Sequence, residues 1–202
     1  MVRQLAGFLV VAGTMVEMFT IPKSYFVLGS IVSTISMACV AILLSPASEI
    51  FRKRPQAKTL ALGFFLAIVL YFIFYAGNFA IKNFSIGGIQ ASNELGIYGL
   101  FTNTNPALLL LVFALDAVGF ESYFRGNLQQ GIAKRIGIAA VPLVAVIDAA
   151  IHLSTFNPLF PATVIVADIV WGLNYYISKD IYSNIASHFL WDLLIFVLFP
   201  IH

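Results

Sequence analysis

Six of the nine carboxylates in this 202-residue chain lie inside stretches apolar and long enough to cross a bilayer. That combination constrains the fold more than any other feature. A spanning helix needs about 20 predominantly apolar residues. Residues 25–45 and 59–79 meet this with no charged side chain. Five further stretches meet it with polar residues inside: 4–22 (Glu17), 106–123 (Asp116, Glu121), 136–156 (Asp148, His152), 159–177 (Asp168) and 181–201 (His188, Asp192). The runs are too long for barrel strands and do not alternate with period two. The expected fold is therefore all-α: a polytopic transmembrane helical bundle of about seven spans around a membrane-embedded polar cavity.

Composition agrees. Charged residues make up 10% of the chain and hydrophobic ones 60%, against roughly 25% charged in a soluble domain. A soluble fold, a disordered chain and a disulfide scaffold are excluded on these figures. The net charge of +2 carries no basic patch for nucleic acid, and Cys39 has no cysteine to pair with. The expected environment is membrane lipid. The N-terminal stretch has one arginine, Glu17 inside it and no Ala-x-Ala after it, so it reads as a first span rather than a cleavable signal.

Lysines and arginines set the expected orientation. With the N-terminus in the cytoplasm, nine fall inside (Arg3, Arg52, Lys53, Arg54, Lys58, Arg125, Lys134, Arg135, Lys179) and two outside (Lys23, Lys82). Residues 1–105 read as N-terminal helices plus a long loop, and 106–202 as the core helices of one integral domain. The loop, 80–105, contains Gly87-Gly88 and reads either as a plain outer loop or as one holding a short interfacial helix or a lid.

An ionised aspartate at the centre of a span costs roughly 2.5–3.5 kcal/mol on insertion scales. Six such groups must face one another, a wet cavity or Arg125, or be protonated. Residues four apart share a helical face. Glu121 and Arg125 have that spacing, as do Asp148 and His152, and His188 and Asp192. Counting from Tyr123, Pro142 and Ile181 as inner helix ends, these pairs meet in the inner half of the bilayer, in a cavity open to the cytoplasm. Such a set suits hydrolysis: one carboxylate or imidazole takes a proton from water, and a second imidazole stabilises an oxyanion. Two histidines with carboxylates also have the composition of a zinc site of three protein ligands and a water. Glu17 reads as a cap or pairing residue, Asp168 as bonding to a neighbouring helix or to water, and Trp171 and Trp191 as packing or interfacial anchors.

The order of these pairs resembles the CPBP intramembrane proteases, the group of CAAX prenyl endopeptidases and Abi-like bacteriocin-processing proteins. Their motifs run Glu-Glu-x-x-x-Arg, Phe-x-x-x-His and His-x-x-x-Asn/Asp. Here they stand as Phe120-Glu121-Ser122-Tyr123-Phe124-Arg125 (then Gly126), Asp148-Ala149-Ala150-Ile151-His152 and His188-Phe189-Leu190-Trp191-Asp192. Residues 172–176 and 183–188 also read like the family, so the likeness covers about 106–200. The resemblance implies an intramembrane endopeptidase with no catalytic metal or other cofactor, acting on a membrane-associated, hydrophobic or lipidated peptide. It implies Glu121 and His152 as the water-activating pair, His188 and Asp192 on the oxyanion side, and Arg125 as an anchor.

Two positions depart from the pattern. Phe120 stands where the first glutamate belongs, and Asp148 where phenylalanine is usual. Adjacent helical residues point about 100° apart, so Glu121 does not simply replace its neighbour. Asp116, one turn before Phe120, and Asp148, one turn before His152, are the carboxylates that could restore the missing one. The alternatives are a catalytically impaired interaction or immunity protein on the same scaffold, favoured by Phe120, and a proton-coupled transporter using the buried carboxylates as a relay.

Overall fold

The structure, a computed structural model, describes residues 2–84, 98–101 and 104–201, with the backbone alone for Val2 and Phe84. The Gly87-Gly88 part of the expected lid or interfacial helix lies outside the described residues. Every regular element described is helical. Among the described residues, seven α-helices are thirteen residues or longer: α1 (Val2–Thr20), α2 (Phe26–Leu44), α4 (Ala57–Phe84), α5 (Pro106–Phe120), α7 (Ala140–His152), α8 (Leu159–Ser178) and α9 (Ile181–Leu193). Two are short, α3 (Ala47–Ile50) and α6 (Gln130–Ile136). A π-helical segment, Glu121–Gln129, joins α5 to α6, and another, Leu194–Leu198, extends α9.

Among the described residues, five helical stretches are long and apolar enough to cross a membrane: Lys23–Leu44, Ala57–Asn83, Pro106–Thr155, Leu159–Ser178 and Ile181–Leu198. The chain is a multi-pass membrane protein, with five such stretches where seven spans were expected. Helix α1, which carries Arg3, Gln4 and Glu17, is not among them. The spans expected at 106–123 and 136–156 belong to one helical stretch of 50 residues. Gly137, at φ +59°, ends α6 in a conformation that favours glycine, and α7 then returns against the π segment.

Local sequence accounts for the boundaries. Asn105 caps α5, its side-chain oxygen accepting from the Ala107 amide at 2.8 Å, with Pro106 in the first turn. Asp180 caps α9 by accepting from the Tyr182 amide at 3.0 Å, and its other oxygen accepts from Thr59 at the start of α4 at 3.1 Å. The helix of α5 runs on through polar residues to Ile136, thirteen residues beyond the expected end at Tyr123. It continues because those residues find partners inside. Asn127 donates to Ser45 at 2.8 Å, Gln129 donates to the Gly172 carbonyl at 2.8 Å, and Gln130 accepts from Tyr175 at 2.8 Å.

Charged side chains within the spans are buried inside among apolar residues, and large apolar side chains face outward, as a lipid solvent requires. Glu121, Arg125, Asp148 and Asn184 are fully buried, while Leu43 and Phe65 are 70% and 60% exposed. Helix α4 packs along α9, α7 along α8, and α2 against both α1 and α5. Small residues permit the closest approach: a Cβ at Gly119 would lie 2.5 Å from the Thr34 carbonyl oxygen on α2.

Gly119→Val is therefore expected to destabilise the protein by about 1–3 kcal/mol through overpacking. Gly131→Ala, where a Cβ meets nothing within 4 Å, should stabilise by about 0.5–1 kcal/mol, the helix-propensity gain over glycine. Thermal unfolding of both variants in detergent tests the pair.

Candidate active site

The site begins with a buried cation. Arg125, in the π segment, is fully enclosed. Its Nη2 donates to Asp168 on α8, and its Nε lies 3.4 Å from the Glu121 carboxylate, close but not aligned for a hydrogen bond. Its Nη1 reaches Gln129 at 3.5 Å. Glu121 accepts from Asn184 Nδ2 at 2.9 Å and is joined to His188 Nδ1 at 3.0 Å. Asp168, Arg125, Glu121 and His188 thus form one chain of contacts across three helical elements.

His188 is fixed on every side. Its ring stacks on Trp171, with centroids 4.1 Å apart and planes at 18°, and Phe120 meets it edge-on at 5.1 Å. Its Nε2 lies 3.7 Å from Asp192 Oδ2. Trp171 is held by its Nε1–H donating to Ser187 at 3.0 Å, and its carbonyl accepts from Asn184 at 2.9 Å.

A cavity of about 360 Å³ runs beside this cluster. Its walls are mostly apolar and aromatic, and four aspartates (116, 148, 168, 192) with both His152 and His188 reach it. Phe120 lines it, whereas Glu121 and Arg125 do not. The π segment therefore turns Phe120 to the cavity and Glu121 behind His188. On another wall, Asp148 and His152 form the second pair. His152 Nδ1 lies 3.0 Å from the Asp148 carbonyl oxygen and 3.4 Å from its carboxylate. Both Asp148 carboxylate oxygens are buried without a hydrogen-bond partner. The His152 ring stacks on Phe160 at 5.2 Å.

All seven candidate residues are thus around one cavity or directly behind its wall, in two groups. Glu121, Arg125, His188, Asp192 and Asp116 lie together, with Asp116 Oδ1 accepting from Thr34 at 3.3 Å. Asp148 and His152 form the other group. Asp168 lines the cavity as well as bonding to its neighbouring helix, and Trp171 is the platform for His188. Asn184 and Gln129 were not singled out. Their signal was present: Asn184-His188-Asp192 and Glu121-Arg125-Gln129 each repeat every four residues.

The depth of the cavity differs from the sequence reading. Its lining includes Phe19, Phe26, Tyr98, Phe101 and Phe160, beside the connections at 21–25, 98–101 and 153–158. The basic residues Arg52, Lys53, Lys134, Arg135 and Lys179 lie at the opposite helix ends. The cavity therefore opens away from the basic rim. The apolar run ends at Tyr123, whereas the helix continues to Ile136.

A multi-pass helical membrane protein with this buried polar site is the class that fold and geometry define. Residues 102–194 match the family described as Type II CAAX prenyl endopeptidase Rce1-like, and that stretch is a domain of this family. No curated protein and no solved structure gave a match.

Removing one partner of a buried ion pair costs about 3–5 kcal/mol. Arg125→Met strands two carboxylates, so it is expected to lose that much. Asp168→Asn leaves Arg125 beside Glu121 and should lose less. Arg125→Lys also destabilises, because one ammonium cannot span both carboxylates as the guanidinium fork does. Thermal unfolding of the three variants in nanodiscs checks the order.

Proposed function

We propose that the protein is an intramembrane endopeptidase of the CAAX protease-like type, hydrolysing a peptide bond in a membrane-associated or hydrophobic peptide. The observation that carries this reading is the placing of Asp148–His152 and His188–Asp192 on the walls of one apolar cavity. Residues 106–202 are then the catalytic part, and 1–105 the N-terminal part of the same integral domain.

In this reading His152 takes a proton from water, with Asp148 one turn away to hold the imidazole. His188 faces the substrate carbonyl from the other wall and stabilises the charge that develops on its oxygen, with Asp192 beside Nε2 to orient the ring. Glu121 acts through His188: it binds Nδ1, fixes the ring and leaves Nε2 towards the cavity. Arg125 anchors Glu121. Trp171 and Phe120 exclude water around His188 and strengthen its interactions.

The test is cleavage of a library of hydrophobic and lipidated peptides by the purified protein in nanodiscs. His152→Ala should lower the rate by about 10²–10⁴-fold, the usual contribution of a general base. Glu121→Gln should lower kcat and shift its pH profile with little change in KM. Cleavage unaffected by His152→Ala would overturn the assignment. Phe120 on the cavity wall supports a second reading, an interaction protein that has lost a carboxylate. That reading gains if only Phe120→Glu cleaves.

The orientation we propose keeps the N-terminus in the cytoplasm, on the positive-inside rule. Support comes from the gathering of Arg52, Lys53, Lys134, Arg135 and Lys179 at one set of helix ends, where they also make local contacts. Lys53 donates to the Ser178 carbonyl at 2.5 Å, and the Lys179 ammonium lies 4.3 Å from the centre of the Tyr176 ring. Burial, and then the charge of Arg52, hold that ammonium below the usual lysine value. The cavity then opens to the non-cytoplasmic side, and substrate reaches it from there. In a Cys39→Ser background, Ser24→Cys should react with an impermeant maleimide in intact cells. Gln56→Cys should react only after permeabilisation.

A further inference from the structure

We propose that Asp116, His188 and Asp192 form a binding site for one divalent transition-metal cation, with Zn²⁺ the ion best suited to the donors. The site goes beyond the hydrolytic reading and does not rest on it. Asp116 lies on α5 and is no part of the motif pattern that the sequence resembles.

Each of the three residues offers one ligand atom, and these atoms lie within 4.8 Å of one another. Ligands held about 2.0–2.2 Å from a single Zn²⁺ sit roughly 3–3.5 Å apart. The His188 Nε2 to Asp192 Oδ2 separation is already 3.7 Å. A side-chain rotation of about an ångström therefore closes the set around an ion of that size. All three residues line the cavity, so an ion there has an open position for a further oxygen ligand.

Two independent features point to a ligand. Asp192 is 5% exposed, and its Oδ2, on the cavity wall, has no hydrogen-bond partner. A buried carboxylate oxygen left unpaired is costly, and a cation satisfies it. His188 is also arranged as a metal ligand. Glu121 holds Nδ1 at 3.0 Å, which fixes the ring and leaves Nε2 towards the two aspartates, where a bound metal ion takes the place of its proton. Glu121 is itself fixed by Asn184, and Asp116 by Thr34.

Charge favours the same conclusion. Five carboxylates (Asp116, Glu121, Asp148, Asp168, Asp192) gather around the cavity with Arg125, His152 and His188 as their cationic partners among the described residues. Arg125 is committed to Glu121 and Asp168, and His152 sits beside Asp148. Asp116 and Asp192 are left sharing His188. A divalent cation neutralises both. One nitrogen and two oxygens make a mixed donor set that suits Zn²⁺ better than Mg²⁺ or Ca²⁺, which prefer oxygen alone.

The test is titration of the chelator-stripped, untagged protein in nanodiscs with ZnCl₂. Stoichiometry is read by equilibrium dialysis and occupancy by tryptophan fluorescence, since Trp171 stacks on His188. The expected result is one Zn²⁺ per chain. Asp116→Asn and Asp192→Asn should each weaken binding at least tenfold. Glu121→Gln should weaken it about 10–100-fold while keeping the stoichiometry, as loss of a partner behind a ligand does. Asp116→Glu, which keeps the carboxylate, should retain binding and so separates a lost ligand from a lost fold. Binding of less than one equivalent by the wild type would overturn the site. So would binding unchanged in both asparagine variants, or binding abolished by His152→Ala alone. None of these outcomes depends on peptide cleavage, so the metal site and the hydrolase reading fail separately.

Discussion

A guanidinium enclosed in an apolar bundle must be neutralised where it lies, and Arg125 organises the rest of the molecule around that requirement. It sits between Asp168 on α8 and Glu121 in the π segment, and Glu121 passes the connection to α9 through Asn184 and His188. A single charge thereby fixes three helical elements in relative rotation. In water such a pair contributes little, because solvent screens it. In lipid the alternative is an uncompensated charge in hydrocarbon, so the helices have no comparably stable arrangement.

The consequence for chemistry is a division between what is rigid and what is reachable. Glu121 and Arg125 stand behind the wall and hold it. Phe120, Trp171, His152, His188 and the aspartates form the wall. His188 belongs to both sets, with one nitrogen tied inward and the other facing the cavity. The aromatic rings on two of its sides prevent it from rotating away from that position.

Much of this was legible in the sequence because a polar residue in a span must have a reason to be there. The four-residue spacing of Glu121 with Arg125, Asp148 with His152 and His188 with Asp192 anticipated three contacts that the fold makes. The motif order agrees with the family domain at 102–194. What was not legible depended on tertiary partners. Asn127, Gln129 and Gln130 look like the end of a span until Ser45, Gly172 and Tyr175 are brought to them. That misplaced helix end shifted the inferred depth of the cavity. The sealing of Glu121 behind His188 likewise depends on the π conformation, for which the sequence carries no marker.

The π segment has a mechanical consequence of its own. Its wider turns put α5 and α6 out of phase with the path of a continuous α-helix, so the two halves are oriented independently. The half before it presents Asp116 and Phe120 to the cavity. The segment's own last residue, Gln129, and the first residue of the half after it, Gln130, are aimed at α8. Removing one residue from 121–129 would rotate one half against the other by about 100°. Cavity wall and anchor could then no longer be satisfied together. The segment acts as a phase adapter, reconciling two helical surfaces that a regular α-helix could not present at once.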